Sequence, residues 1–205
     1  MTAIIAMRRS DGGISIAADR RVTMPSGAAR MSESKIFDVG PFIVGASGAC
    51  TTGQVLQEWT AGGRKMPKWP KGMDARVYLR AHFVPALRKA IHKQKLPVVG
   101  DELRQYHDWE AIFCYDGRMF VVGGDGISVD EVDQNYMATG CGGALCLGAM
   151  YVQLIIARKS DVVIDEETAD SMLRTAIATA AAHDVYCGDG ADVVHQGVPP
   201  RKRAA

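Results

Sequence analysis

Thr2 is the residue of this chain whose position could by itself create a catalytic group. Once Met1 is removed, Thr2 carries a hydroxyl and a free α-amine on the same residue. The hydroxyl can attack a carbonyl carbon while the amine accepts its proton, directly or through a water. The pKa of an unperturbed α-amine is about 8, close to the working range of a general base. A threonine at this position has little weight alone, so the hypothesis depends on the residues that accompany it.

Several short segments accompany Thr2 in a fixed order. They are Met1 to Arg9, Ala17-Ala18-Asp19-Arg20-Arg21-Val22-Thr23, Ser34-Lys35-Ile36-Phe37, Gly45-Ala46-Ser47-Gly48, Tyr136 to Gly143 and Ala182-His183-Asp184-Val185-Tyr186-Cys187-Gly188-Asp189-Gly190. Together they resemble the proteasome β-subunit family, and within it the HslV-like threonine peptidases, over nearly the whole chain. The resemblance implies an α+β fold, the αββα four-layer sandwich of the N-terminal nucleophile (Ntn) hydrolases, with two antiparallel sheets between helix layers.

The resemblance also assigns roles to the residues that match the motifs of the family. Lys35 would lie beside Thr2, where its positive charge would lower the pKa of the α-amine, and Asp19 would pair with Lys35 and fix it. The backbone N–H of Gly48, at the start of a helix, would stabilise the oxyanion of the transition state. This assignment depends on the register of the segment, because Ser47 could also be taken as the neighbour of the true donor. Gly48 is the donor that we predict.

Two cysteines depart from the family pattern, whereas Asp184 matches it. Cys141 and Cys187 stand where the family usually has serines that hydrogen-bond around the amine and help to move its proton. A thiol is a weaker donor and acceptor than a hydroxyl. Either the enzyme tolerates both cysteines at a reduced rate, or the site is degenerate and the chain is a structural or regulatory ring subunit. A third hypothesis, a cysteine nucleophile, lacks a base close to either residue in the sequence.

The resemblance also predicts a substrate pocket and partners. Val22, Ala46 and Cys50 would line the pocket for the side chain that precedes the cut, and their small apolar character favours apolar substrate residues. Proteasome-type peptidases enclose their sites in stacked rings, so a homo-oligomeric ring is expected. HslV-like members receive unfolded proteins from an AAA+ ATPase, which is a possible partner here. An Ntn amidase that acts on a small molecule remains an alternative within the same fold.

The composition is that of an ordinary soluble domain. Hydrophobic residues make up 47% of the 205 residues and charged residues 23%, which favours one domain over residues 1–205 with a flexible tail at 198–205. The net charge of +1 gives no indication of nucleic-acid or membrane binding. The five cysteines have no CxxC spacing and the five histidines are scattered, so neither disulfides, a metal site nor a cofactor is predicted. With no apolar leader, a cytoplasmic location is expected.

The elements that must position these residues follow from periodicity and turn signals. Strands are predicted over 3–9, 13–18, 35–39, 42–46, 109–115, 118–123, 136–139 and 193–196, and helices over 50–61, 74–94, 141–157 and 166–183. A loop is predicted around Pro25, a kink or late helix start at Pro85, and a hairpin turn over Gly123 to Gly126. Runs of strands separated from runs of helices favour a layered α+β domain over alternating βαβ units.

Overall fold

Two antiparallel sheets form the centre of the computed structural model, which describes residues 2–24, 27–30, 34–48, 50–62, 65–93, 109–123, 128–188 and 190–197. The first sheet has the strand order β10-β1-β2-β11 and consists of β1 (Ile4–Arg8), β2 (Ile14–Asp19), β10 (Tyr136–Thr139) and β11 (Ala191–Gln196). The second sheet follows chain order and consists of β5 (Ile36–Val39), β6 (Phe42–Gly48), β7 (Trp109–Tyr115), β8 (Arg118–Val122) and β9 (Val129–Glu131). A separate two-stranded hairpin contains β3 (Arg21–Met24) and β4 (Gly27–Arg30).

Helices cover the outer faces of both sheets. They are α1 (Cys50–Thr60), α2 (Ala75–Tyr78), a π-helical turn (Leu79–Phe83), α3 (Val84–His92), α4 (Gly143–Lys159) and α5 (Glu166–His183). The first three helices and the π-helical turn share an apolar cluster with the second sheet, whereas α4 and α5 share one with the first sheet. The predicted αββα layering is therefore confirmed. Within the described part of the chain, no helix combines the length and apolar character that a membrane crossing needs.

The two sheets pack directly against each other, and β1 is buried on both faces. Ile4 belongs to the apolar cluster between the sheets, whereas the next residue, Ile5, belongs to the cluster under α4 and α5. The sheets approach each other closely at Gly45, where an added Cβ would lie 2.7 Å from Ile4 Cγ2 and 2.9 Å from Ile16 Cδ1. This close approach brings the end of β6 against the start of β1, the two segments that carry Gly48 and Thr2.

The predicted helix over 74–94 contains a feature that periodicity did not reveal. Pro85 lies in the first turn of α3, directly after the π-helical turn, and the N–H of Val84 donates to the carbonyl of Leu79, five residues earlier. A proline has no N–H to donate and its ring clashes with the carbonyl four residues before it. One wider turn accommodates Pro85, so the helical path continues instead of ending there.

Two turn predictions were tested in part. The loop predicted around Pro25 is wrong for the residues on either side of it, which form the β3–β4 hairpin with Val22 paired to Ala29. The β-branched residues of β3 favour a strand. The predicted turn over Gly123 to Gly126 lies mostly outside the described residues. Its flanks pair as β8 and β9, and Gly123 donates to the Ser128 carbonyl at 3.2 Å. The predicted tail at 198–205 also lies outside the described part, and the single domain stays a prediction.

Candidate active site

The Asp19 carboxylate is the centre of the hydrogen-bond network near Thr2. Asp19 ends β2 and its side chain is fully buried. Its Oδ1 accepts from Lys35 Nζ at 2.7 Å and from the backbone N–H of Ala3 at 2.9 Å. Its Oδ2 accepts from the backbone N–H groups of Arg21 and Gly188, each at 3.1 Å. Four donors therefore hold this carboxylate, and the Lys35 ammonium shares one oxygen atom with the amide that follows Thr2.

Thr2 lies between this network and the turn that joins β10 to α4. It is buried, at 5% exposed. Its carbonyl oxygen accepts from the backbone N–H of Gly142 at 3.4 Å and from the thiol of Cys141 at 3.6 Å. Gly140 has a φ of +87° and a Cβ there would lie 2.1 Å from the same oxygen, so only glycine fits. The turn from Gly140 to Gly142 thus packs directly on the backbone of Thr2.

A cluster of two thiols and one carboxylate lies beside the Thr2 carbonyl, which Cys141 contacts. Cys141 Sγ is 3.8 Å from Cys187 Sγ, and Cys187 Sγ is 3.6 Å from Asp184 Oδ2. Asp184 caps the C-terminus of α5, and the backbone N–H of Cys187 donates to its carbonyl at 3.0 Å. Cys141 is exposed, Asp184 half-buried and Cys187 buried. The structure therefore brings Cys141 to Asp184 and Cys187, more than 40 positions away in the sequence, and the atoms of all three residues can ligate a metal ion.

The pKa values in this cluster favour protonated thiols beside an ionised carboxylate. The backbone N–H of Tyr186, followed by the Cys141 thiol, lowers the pKa of Asp184. Burial, followed by the Asp184 carboxylate, raises the pKa of Cys141, and burial raises that of Cys187. Because the reactive form of cysteine is the thiolate, both shifts argue against a cysteine nucleophile. Both thiols can instead act as hydrogen-bond donors near Thr2.

Sequence reasoning missed a polar group on the second sheet. Glu110, in β7, accepts a hydrogen bond from the Thr139 hydroxyl and a longer one, at 3.5 Å, from the backbone N–H of Gly140. Ser47 Oγ lies 3.5 Å from Thr139 Oγ1 and 3.3 Å from the carbonyl oxygen of Glu110. These contacts join the end of β6 to the turn that packs on Thr2. The available signal was one acidic residue inside the apolar run of β7.

The remaining predicted residues make no hydrogen bond to Thr2 within the described part of the chain. Gly48 is exposed at the end of β6, with a φ of +103° where the chain turns toward α1. Ala46 is buried under the outer helices, and its N–H donates to the Lys35 carbonyl at 3.2 Å. Val22 is buried in β3, beyond Asp19. Cys50 is the first residue of α1, but its side chain lies outside the described residues.

The layers and strand order give the chain an αββα sandwich, the fold of HslV and of proteasome subunits. Thiobacillus denitrificans BPH shares it at 21% identity and a TM-score of 0.73, over 97% of this chain and 99% of that one. The same protein in complex with epoxomicin matches with a TM-score of 0.72 and 21% identity, over 96% and 100% of the two chains. Eukaryotic HslV from Trypanosoma brucei matches with a TM-score of 0.55 and 18% identity, over 94% and 98%.

At these low sequence identities, the three matches show that the chain shares the fold of these proteins. No protein-family model and no curated protein sequence matches the chain. The solved structures therefore establish the architecture that holds Thr2, and the chemistry has to be argued from the residues of this chain.

Proposed function

We propose that this chain is a threonine peptidase that hydrolyses peptide bonds of unfolded proteins, with Thr2 as its nucleophile after removal of Met1. The observation that carries the proposal is the Asp19 carboxylate, which binds both the Lys35 ammonium and the backbone amide next to Thr2. A buried lysine held in this way is a fixed positive charge near the amine of Thr2. The fold shared with HslV and with a protein that binds epoxomicin, a proteasome inhibitor, supports the same class of reaction.

The reaction follows from these positions. The charge of Lys35 lowers the pKa of the Thr2 α-amine, so that a larger fraction is neutral and can accept the hydroxyl proton. The hydroxyl oxygen attacks the substrate carbonyl, and the N–H of Gly48 stabilises the oxyanion that forms. The protonated amine returns its proton to the leaving nitrogen, which leaves an ester on Thr2. A water molecule then hydrolyses this ester with the amine again as base.

The thiols take part as donors in this proposal. Protonated Cys141 donates to the Thr2 carbonyl, and Cys187 donates to Asp184. These contacts replace the serine network that the resemblance implies, with weaker hydrogen bonds. The site therefore works at a reduced rate compared with a serine-containing one. We assign Val22, Ala46 and Cys50 to a pocket that favours an apolar residue before the cut, on the family resemblance and their small apolar character.

Self-association is proposed from the surface of α4. Its outer face carries large apolar side chains that are 37–59% exposed, namely Tyr151, Val152, Ile155 and Ile156. Contiguous apolar surface of this kind marks interaction sites in soluble proteins, and HslV-like relatives form oligomeric rings. We assign this face to contacts with further copies of the chain in a ring, into which an AAA+ ATPase could feed unfolded proteins. The free thiols among the described cysteines suit the reducing cytoplasm as its location.

The central test joins mass, labelling and activity. Purified, assembled protein should have lost Met1 by N-terminal sequencing, and epoxomicin should add one adduct per subunit, located on Thr2 by peptide mapping. Thr2→Ala should lose the adduct and the cleavage of an unfolded protein substrate. Thr175→Ala removes a hydroxyl from the exposed side of α5 and should leave both unchanged.

The outcomes separate the proposal from its two rivals. Retained Met1 in a cleaving enzyme, or cleavage by Thr2→Ala, would contradict Thr2 as nucleophile. Assembled rings with Met1 retained, no adduct and no cleavage would identify the degenerate ring subunit that Cys141 and Cys187 suggest. Hydrolysis of small amides without cleavage of unfolded proteins would identify an amidase.

A further inference from the structure

We propose that Cys141, Asp184 and Cys187 form a zinc-binding site that inhibits the peptidase when it is occupied. The spacing of the cysteines in the sequence gave no indication of a metal site, because residues 141 and 187 are 46 positions apart. The fold brings one ligand atom of each of the three residues to within 4.8 Å of the others. The proposal that zinc binds here does not depend on peptidase activity. The proposal that zinc inhibits the chain rests on the proposed function.

Two of the three distances between ligand atoms match the edges of a tetrahedral zinc site. Zinc binds thiolate sulfur at about 2.3 Å and carboxylate oxygen at about 2.1 Å. At tetrahedral angles, two sulfur ligands are then about 3.8 Å apart, and a sulfur and an oxygen ligand about 3.6 Å apart. Cys141 Sγ and Cys187 Sγ are 3.8 Å apart, and Cys187 Sγ and Asp184 Oδ2 are 3.6 Å apart. The third distance, between Cys141 Sγ and the Asp184 carboxylate, is at most 4.8 Å, so an approach of these two side chains by about 1 Å completes the site.

The ligand set and its accessibility select the class of metal. Two sulfur ligands favour zinc or another thiophilic ion over magnesium and calcium, which prefer oxygen. Three protein ligands leave a fourth position for a water molecule. Cys141 is exposed and Asp184 half-buried, so an ion can enter from solvent. Binding releases the thiol protons to solvent, since the ligands are thiolates.

Two packed segments hold the ligands in place. Cys141 precedes α4, where an added Cβ at Gly142 would lie 2.6 Å from Cys187 Sγ and 3.0 Å from Ala180 Cβ. After Cys187, the backbone N–H of Gly188 donates to the buried Asp19 carboxylate. The thiols therefore approach each other because the β10–α4 turn and the end of α5 are packed together. Such preorganisation lowers the cost of ordering the ligands around a metal.

The effect on the peptidase follows from the hydrogen bond between Cys141 and Thr2. Protonated Cys141 donates to the Thr2 carbonyl at 3.6 Å. A zinc-bound thiolate cannot donate this hydrogen bond, so occupancy removes a contact that helps to hold the Thr2 backbone. The release of both thiol protons balances the charge of the metal, so the effect arises from this lost contact. Occupancy of the site should therefore lower the peptidase rate.

The test uses the full-length, assembled protein in a phosphine reductant, which keeps both thiols reduced. Co²⁺ should give a thiolate-to-metal charge-transfer band that saturates at one ion per subunit. Zn²⁺ should displace the Co²⁺ and abolish the band. Cys141→Ser, Cys187→Ser and Asp184→Asn should each weaken Zn²⁺ binding by at least about tenfold, the lower end of losses seen even for outer-shell partners. Cys146→Ser is the matched control, because this buried thiol lies in the α4–α5 packing and contacts the Ala176 carbonyl.

A second measurement does not depend on the folding of the variants. Stoichiometric Zn²⁺ should protect Cys141 of the unmodified protein from alkylation, as measured by peptide mass spectrometry. Absence of the band, an equal band in Cys141→Ser and Cys187→Ser, or unprotected Cys141 would overturn the metal site.

Activity separates the two proposals. With each protein compared to its own metal-free rate, Zn²⁺ should inhibit cleavage in parallel with occupancy in wild type and in Cys146→Ser. A charge-transfer band in a protein without peptidase activity would support the metal site and contradict the proposed function. Cleavage that continues at full occupancy would overturn the inhibitory role.

Discussion

At the scale of single residues, Asp19 and Lys35 make unequal contributions to folding although they form one ion pair. Asp19 accepts from three backbone N–H groups as well as from Lys35, so its carboxylate keeps three partners when the lysine is lost. Lys35 is also buried, and the ion pair with Asp19 neutralises its charge. Removal of the carboxylate charge would leave a buried ammonium uncompensated, which is the costly way to break such a pair.

We therefore expect Asp19→Asn to destabilise the protein by about 3–5 kcal/mol, and Lys35→Met to cost clearly less. Both should abolish peptide cleavage, since the charge beside Thr2 is lost or displaced. Chemical denaturation followed by circular dichroism measures the first effect, and cleavage of an unfolded substrate the second. Asp170→Asn is the control, because its exposed pair with Arg174 on α5 should be worth less than about 1 kcal/mol. Equal costs for Asp19→Asn and Lys35→Met would contradict this account.

At the scale of elements, the close packing of α4 on β1 and α5 depends on a glycine. Gly142 precedes α4, and an added Cβ would lie 2.9 Å from Ala3 Cβ and 3.0 Å from Ala180 Cβ. Distances of this kind arise from the packing of three elements, and periodicity along α4 could not predict them. The same limit applies to the π-helical turn, where Pro85 was visible in the sequence but the way the helix accommodates it was not.

Gly142→Ala should destabilise the protein by about 1–3 kcal/mol, because the added methyl overpacks a filled region. Gly53→Ala, inside α1, should stabilise it by about 0.5–1 kcal/mol, since its Cβ would meet only Phe37 Cζ at 3.4 Å and alanine favours a helix. Thermal and urea unfolding of both variants measure the difference. A neutral or stabilising Gly142→Ala would show that the segments can move apart without cost.

At the scale of the whole molecule, the surface is unevenly apolar. The outer face of α4 and the following loop expose Tyr151, Val152, Ile156 and Val163, whereas Val77 is exposed on the opposite helical layer. The two helical layers are separated by both sheets, so a change on one should not affect the packing of the other. This separation makes the two surfaces a matched pair for a test of assembly.

The double variant Val152→Glu/Ile156→Glu should dissociate the proposed ring, because charged side chains oppose burial of this face. Val77→Glu introduces one such charge at an exposed position of α2 and should leave the assembly intact. Light scattering coupled to size-exclusion chromatography gives the mass of each species. An unchanged mass for the double variant would show that this face lies outside the contacts between subunits.

The amino-acid sequence by itself determined the αββα layering, the bounds of α5 and the candidate set around Thr2. The bounds of α5 follow from hydrophobic periodicity, whereas the layering and the candidate set follow from the family resemblance that an ordered run of motifs carries. The pairing of Asp19 with Lys35 belongs here too, because the same resemblance implied it. Only the tertiary structure decided the distances within the cluster of Cys141, Asp184 and Cys187, and that Glu110 binds the turn over Thr2. The physical reason is that these distances are set by the packing of α4 on α5 and of one sheet on the other, which no local pattern encodes.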